Sequence, residues 1–223
     1  MRLLRVLLLS LAPALVAGAA LAGAWPRPQG ETFVSTAARF SWPQRIETWL
    51  SYRPTLAWYS LYAEHGLTDR WTLGLDLGRS ERGTGKAFAF LRYPLRDRDR
   101  GPKISAQLGI GQKFGQPALQ PGLSLGLGLE NGWLAADGLA EIRTRSAMID
   151  LKLDLTWGLK FDSGRMLILQ MQTGAPALAE PFARLAPSMV FPLTDTFKAE
   201  VGGMYGLRGD EHMGVMFGLW AEF

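Results

Sequence analysis

The chain lacks cysteine altogether and has only two histidines among its 223 residues. The first absence excludes a disulfide framework, thiolate chemistry and a lipid anchor on a cysteine after a leader. No pair of His, Asp or Glu residues has the spacing of a metal site, so we expect neither a metal nor another cofactor. The net charge of +4 is small and its positive residues are scattered, which argues against nucleic acid as a partner.

A long apolar run occurs only at the start of the chain. Two arginines precede an apolar stretch at residues 7–16, and the small residues Ala22-Gly23-Ala24 follow it. This order predicts a secretory signal peptide over residues 1–24, removed before Trp25. An uncleaved anchor helix is the alternative, because the stretch nearly reaches spanning length. After the leader there is no run of 18 apolar residues, which excludes a helical membrane protein.

Period-two alternation, by contrast, is abundant. In residues 149–160, six large apolar residues alternate with charged residues, threonine and glycine. This pattern is typical of a β-strand with one apolar face, and no segment after the leader has a helical period. Residues 25–223 therefore form one domain with twelve predicted strands, at 31–41, 55–65, 71–80, 85–95, 103–111, 121–130, 133–143, 148–160, 165–173, 182–191, 197–206 and 213–223.

The turns and the polar faces favour a membrane barrel over a soluble one. The polar face is often glycine or serine, as in residues 122–128, and small residues inside a lumen make room for larger neighbours. An even strand number, with short turns at one end and longer loops at the other, is typical of membrane barrels. The predicted fold is all-β, a transmembrane antiparallel up-and-down barrel. The predicted short turns are 66–70, 96–102, 131–132, 162–164 and 192–196, and the longer loops are 42–54, 81–84, 112–120, 144–147, 174–181 and 207–212.

Aromatic residues gather beside the short turns. Because an aromatic ring suits the boundary between water and lipid, these residues predict an outward-facing ring at one level of the barrel. Leu-Thr-Asp also occurs twice, at residues 67–69 and 193–195. It predicts a tight turn in which the Thr and Asp side chains bond the local backbone. The predicted ring consists of Trp71, Tyr93, Trp133, Phe161, Phe191 and Phe197.

Two stretches resemble segments of known proteins. The last strand alternates to the terminus through Phe217, Leu219, Ala221 and Phe223, and this ending resembles the C-terminal signal by which insertion machinery recognises Gram-negative outer-membrane proteins. The stretch YAEHGLTDRWTLGLDLG, residues 62–78, resembles periplasmic hairpins of proteobacterial outer-membrane barrels. The resemblance implies an outer-membrane location and contact with lipid, lipopolysaccharide and the assembly machinery. We expect a monomer.

Charged residues of both signs fall on the polar faces of the strands. Inside a barrel such charges persist only when they are paired or hydrated. They predict either a plug of salt bridges or a narrow water-filled channel, and no strong preference for cations or anions. Twelve strands lie between the filled and the open barrel sizes. The predicted lumen-lining residues are Asp76, Lys86, Arg92, Lys103, Glu130, Asp150, Lys152, Asp154, Lys160, Arg184, Lys198 and Glu200.

The leading functional hypothesis is a passive pore for small solutes, or a structural component of the envelope, and not an enzyme. It depends on the mixed-charge lumen and on the lack of a separate plug domain. An alternative is a partner-binding barrel that uses its outer loops, chiefly 42–54 and 112–120.

A second alternative is an enzyme that acts on lipid or lipopolysaccharide at the loop side of the barrel. His212 would be the base, next to Asp210 or Glu211, and Ser80 or Ser146 the nucleophile. Such a pair needs hydrogen-bond contact, which nothing local in the sequence imposes.

Overall fold

The computed structural model describes residues 23–98 and 100–223. The predicted leader lies outside the described residues, apart from Gly23 and Ala24. Within these ranges no helix is long and apolar enough to cross a membrane, and one short 3-10 helix spans Ile46–Thr48. The strands are β1 (Thr32–Pro43), β2 (Leu56–Gly66), β3 (Thr72–Ser80), β4 (Gly85–Arg96), β5 (Lys103–Lys113), β6 (Gln116–Leu129), β7 (Gly132–Arg143), β8 (Met148–Lys160), β9 (Met166–Ala175), β10 (Phe182–Pro192), β11 (Phe197–Arg208) and β12 (His212–Glu222).

The strands close into one barrel in which every strand pairs antiparallel with its neighbours in sequence. The last strand returns to the first, so that Phe33 of β1 lies opposite Glu222 of β12. Thr32 and Phe223 complete this seam by exchanging backbone hydrogen bonds of 3.1 and 2.9 Å. A closed barrel leaves no strand edge unpaired, which is the condition for a sheet to cross hydrocarbon. The predicted all-β, twelve-stranded, up-and-down barrel is confirmed.

Alternation places apolar side chains on the outer surface. Along β8, Leu151, Leu153, Leu155 and Trp157 are all more than 40% exposed, while the positions between them are buried or half-buried. Leucines of β3, β5, β6, β7 and β12 continue this surface. A continuous apolar band of this kind is the face that lipid covers in a membrane barrel.

The connections lie at two ends of the barrel. The turn end, where β1 begins and β12 ends, carries five connections of two to six residues. The loop-end connections also have two to six residues, apart from the twelve-residue connection 44–55, so the predicted difference in length holds for that connection alone. The turn-end connections are 67–71, 97–102, 130–131, 161–165 and 193–196, and the loop-end connections are 44–55, 81–84, 114–115, 144–147, 176–181 and 209–211.

One loop-end connection is much shorter than the sequence predicts. Only Phe114 and Gly115 join β5 to β6, with φ values of 52° and 75°. Two consecutive positive φ values are typical of the type I′ hairpin turn, whose twist matches that of the strands. The predicted loop at 112–120 is therefore wrong. Pro117 and Pro121 conceal the first part of β6, because proline in a strand normally indicates its end.

The two Leu-Thr-Asp turns fold in the same way. The Thr68 hydroxyl oxygen accepts hydrogen bonds from two backbone N–H groups of its own turn, at 3.2 and 3.0 Å. The Thr194 hydroxyl oxygen does the same at 3.2 and 2.9 Å. The prediction is confirmed for both threonines. Asp69 differs, because its carboxylate accepts a hydrogen bond from the backbone N–H of Gln29, at 3.3 Å, instead of from its own turn.

Candidate functional site in the barrel interior

Eleven of the twelve charged residues predicted to line the lumen lie on the inward face of a strand. They share the strand parity of buried polar residues such as Glu64, Ser105 and Glu141. Glu130 is the exception. Because β6 ends at Leu129, Glu130 is exposed in the two-residue turn to β7 and lies outside the inward face. That solutes pass along the eleven remaining side chains stays a prediction.

In the loop-end half of the lumen, one buried carboxylate collects three lysines. Glu141 of β7 is fully buried. Its oxygens lie 3.4 Å from Lys86 Nζ, 2.5 Å from Lys113 Nζ and 3.1 Å from Lys152 Nζ. These lysines belong to β4, β5 and β8, so a single carboxylate connects four strands. A buried charge is stable only when it is paired and hydrogen-bonded, and Glu141 has three lysine partners of this kind.

Two aspartates balance the surplus of positive charge. Asp76 pairs with Lys86, and Asp150 lies 2.6 Å from Lys113 Nζ and 3.5 Å from Arg143 NH2. Four cations and three anions thus form a group with a small net charge. We call it the Glu141 network, and it consists of Asp76, Lys86, Lys113, Glu141, Arg143, Asp150 and Lys152.

The turn-end half holds a second buried carboxylate. Glu64, only 4% exposed, pairs with Arg92 and with Arg27, whose NH2 lies 3.2 Å away. The Tyr62 hydroxyl donates to Glu64 Oε1 at 2.5 Å. Arg92 NH2 donates to both Tyr62 and Gln107 at 2.9 Å. Hydrogen bonds and ion pairs connect these five residues, the Glu64 network, in the interior, so Arg92 is held more rigidly than a hydrated lining residue would be.

An apolar cluster lies beside the Glu64 network near the turn end. Its members come from five strands and are all nearly buried. Trp25 and Tyr62 pack against it, so apolar side chains occupy part of the lumen at this level. The apolar cluster consists of Phe33, Trp133, Ala135, Met166, Ile168, Val190 and Trp220.

Trp133 does not belong to the outward aromatic ring, and that part of the prediction is wrong. Its side chain is 2% exposed, and it lies opposite Gly158 on the inward face. The start of β7 reads Trp-Leu-Ala-Ala, which is apolar on both faces, so alternation there does not show which side is inward. Trp71, Phe161 and Phe197 are 44%, 47% and 41% exposed beside turn-end connections, as predicted.

Glycines on the inward face make room for these rings. A Cβ on Gly158 would lie 2.3 Å from two ring carbons of Trp133, and one on Gly74 would lie 2.0 Å from the ring of Phe90. Both separations are far below van der Waals contact, so neither ring could keep its position over alanine. The expectation that small residues make space for larger neighbours inside the barrel is confirmed at these positions.

The chain itself enters the lumen from the turn end. In the N-terminal segment, residues 23–30, the Ser105 hydroxyl donates to the carbonyl oxygen of Gly23 at 2.5 Å. The ring of Trp25 covers Gly126, where a Cβ would lie 2.4 Å from it. Strand alternation does not predict this arrangement. The signal in the sequence is Trp-Pro-Arg-Pro at residues 25–28. It places an aromatic and a basic residue shortly before the first strand, in a stretch that lacks strand alternation.

The remaining predicted residues form smaller groups. Glu200 accepts hydrogen bonds from Ser188 at 2.6 Å and from Trp220 Nε1 at 3.0 Å. Asp154 lies opposite Asp137 in the β7–β8 ladder. The other contacts are Arg184 Nε to Gln172 Oε1 at 2.8 Å, Lys198 Nζ to Glu222 at 2.6 Å, Lys103 to Asp97, and Lys160 Nζ at 5.7 Å from the ring centre of Trp133.

The side chains of the enzyme hypothesis do not assemble into a catalytic group. His212 Nδ1 lies 3.1 Å from Asp210 Oδ1, but in the part of the chain that the structure describes no hydrogen bond joins His212 to a serine. Ser80 bonds Thr84 at 2.7 Å, and the Ser146 hydroxyl is buried without a partner. Residues 23–98 and 100–223 also contain no group of three His, Asp or Glu side chains that could hold a metal. The nucleophile–base contact that the hypothesis needs is not formed.

Comparison with protein-family models and with curated proteins finds no match. Solved structures do match over most of the chain. The NanC porin has a TM-score of 0.66 at 8% identity, covering 83% of this chain and 98% of its own. The KdgM porin has a TM-score of 0.62 at 9% identity, covering 85% and 99%. An outer membrane channel from Pseudomonas putida F1 has a TM-score of 0.61 at 11% identity, covering 91% and 99%.

Identities this low show a shared fold and nothing finer. What this chain shares with them is the closed antiparallel barrel. The chain therefore has the fold of the Gram-negative outer-membrane β-barrel proteins.

Proposed function

We propose that this protein is a passive outer-membrane channel for small solutes. The observation that carries the proposal is the contrast between the two surfaces of the barrel. Its outer face is a band of exposed leucines, whereas its inner face holds two ion-pair networks of mixed sign. Apolar lipid suits the first surface and water suits the second.

The charges inside the barrel support a channel of weak selectivity. The Glu141 network contains four cations and three anions, and the Glu64 network contains two arginines and one glutamate. Each therefore has a net charge near +1. Charged rings of one sign are what gives a pore strong selectivity, so we expect a slight preference for anions and passage of neutral solutes.

The outer surface supports placement in the outer membrane, and we propose that the chain is a monomer there. Phe217, Leu219 and Phe223 are exposed on β12 or directly after it, while Ala221 is nearly buried. We propose that these residues are the assembly signal, with lipid and lipopolysaccharide covering the leucine band afterwards. We propose that the turn end, which holds the start of the first strand and the end of the last, faces the periplasm and that the loop end faces outward.

The fold comparisons support a channel as well. The similar structures are two porins and an outer membrane channel, and a further KdgM structure is a complex with disordered oligogalacturonate. Those functions are properties of the proteins named. For the present chain we therefore choose small sugars and sugar acids as the first test solutes.

The proposal is tested by reconstituting the purified full chain in planar lipid bilayers and in liposomes. We expect small, discrete steps of ion current, and liposome swelling that falls as the test sugar grows larger. Refolded and unfolded samples of the same protein form the matched pair. A lack of current and of swelling, both in the refolded wild type and in the Arg27→Ala variant described below, would contradict the channel.

A further inference from the structure

We propose that residues Trp25 to Gln29 are a gate that closes the turn end of the lumen and leaves it to open the channel. The inference rests on the proposed channel function. Trp25, Pro26 and Arg27 lie inside the barrel without being part of the sheet, and the exposed residues Pro28 and Gln29 connect them to the turn end. Gly23 and Ala24, which the predicted processing removes, have no part in it.

Arg27 is the anchor of the gate. Its NH2 lies 3.2 Å from Glu64 Oε2, and its guanidinium carbon lies 5.1 Å from the ring centre of Phe33. Its backbone N–H donates to Thr72 Oγ1 at 3.1 Å. Arg27 is only 8% exposed. One residue thus contacts three strands, and a charge-assisted hydrogen bond in so dry a place is stronger than one in water.

Trp25 is the closing group. It packs against the apolar cluster, and its ring covers the space that Gly126 leaves open. A tryptophan ring in that position occupies space in the lumen beside the apolar cluster. An apolar constriction of this kind excludes water and ions until the ring moves away.

The chain around Gly30 is built as a hinge. Gly30 has a φ of +83° and no atom within 4 Å of the position of a Cβ. A left-handed conformation there reverses the chain between the gate and β1, and glycine adopts it without strain. Pro28, Gln29 and Gly30 are exposed, and Gly30 N–H donates to the carbonyl oxygen of Gly66 at 2.9 Å. The gate can therefore leave while the hinge stays attached to the barrel.

The contacts of the gate are few enough for it to open. Trp25 to Gln29 are held by the packing of Trp25, the contact of Arg27 with Phe33, individual hydrogen bonds and one ion pair, whereas each strand of the barrel is held by ladders on both sides. A two-state element responds to changes of a few kcal/mol in the balance between its states. Loss of the Arg27 side chain therefore favours the open state without dismantling the sheet.

The first experiment compares Arg27→Ala with Arg70→Ala in single-channel recordings. Arg70 lies in the exposed turn 67–71, and its side chain contacts Tyr93 rather than the gate. We expect open probability to rise roughly tenfold for Arg27→Ala, which corresponds to about 1.4 kcal/mol, and to stay at the wild-type value for Arg70→Ala. The mass of each purified protein shows whether the leader is removed equally from both.

The second experiment locks the gate. Because the chain contains no cysteine, the pair Arg27→Cys and Thr72→Cys creates the only possible intramolecular disulfide, at residues already in hydrogen-bond contact. Oxidation is expected to close the pore, and reduction to open it beyond the wild-type level, because the Arg27–Glu64 pair is then missing.

The outcomes separate the two proposals. Wild-type open probability in Arg27→Ala, together with equal current in the oxidised and the reduced cysteine pair, would overturn the gate and leave the channel intact. No current in any variant under either redox condition would overturn the channel itself.

Discussion

Both halves of the lumen contain an ion network around a buried glutamate, but the two networks hold different parts of the chain. Each buries one glutamate among several cations. In the loop-end half all partners of Glu141 are lysines on barrel strands, so the Glu141 network holds the wall together. In the turn-end half one partner of Glu64 is Arg27, which precedes the first strand, so the Glu64 network also holds a segment that is not part of the wall. An ion network can thus stabilise the barrel wall, or it can fasten a movable piece to that wall.

The largest effect that this comparison predicts is on stability. Glu141→Gln leaves three lysine ammonium groups close together without their shared carboxylate, and breaking a buried ion pair in this way costs about 3–5 kcal/mol. Urea unfolding of the barrel in detergent, followed by tryptophan fluorescence, measures the loss. Glu130→Gln, in an exposed turn, is the control. Equal stability of the two variants would refute the structural role of the Glu141 network.

A smaller loss of stability is expected for Glu64→Gln. Arg92 keeps Tyr62 and Gln107 as partners, and Arg27 keeps its backbone bond to Thr72. The expected cost is about 1–3 kcal/mol. This variant should also raise the open probability in bilayers, which Glu141→Gln should not do. If Glu141→Gln opened the channel as readily as Glu64→Gln, the distinction between the two halves would not hold.

The smallest effect is on ion selectivity. Lys152 has the most exposed side chain of the Glu141 network, at 36%, so its charge acts most directly on ions in the lumen. Lys152→Gln removes one positive charge and should shift the anion-to-cation permeability ratio roughly twofold toward cations. The reversal potential across a KCl gradient measures this ratio. Arg70→Gln, outside the lumen, should leave it unchanged, and a shift of equal size there would point to a surface-charge effect.

Local patterns in the sequence predict the wall of the barrel well. Strand β8 is predicted to the residue at both ends, because its six outward apolar residues alternate without interruption. Strand β6 begins five residues earlier than predicted, since Pro117 and Pro121 interrupt its pattern. Trp133 is placed on the wrong face because its neighbours in β7 are apolar on both sides.

Local sequence patterns do not predict which side chains meet across the lumen. Asp76, Lys86, Asp150 and Lys152 are recognisable one by one as inward charges, but Glu141 is not, because it follows the irregular stretch Gly-Leu-Ala in β7. That it meets lysines from three other strands depends on the curvature and register of the closed sheet. The position of Arg27 beside Glu64 likewise depends on the chain reversal at Gly30.

The seam between β1 and β12 has a consequence for the order of assembly. Every other strand pair joins neighbours in sequence, whereas Phe33 finds its partner Glu222 only at the end of the chain. Local hairpins form faster than contacts between distant residues, so we expect closure of the seam to be the last step. Until then β1 and β12 each present a row of unpaired N–H and C=O groups, which hydrocarbon does not tolerate. The time between the first hairpin and the last is therefore when this barrel most needs another protein to cover its edges.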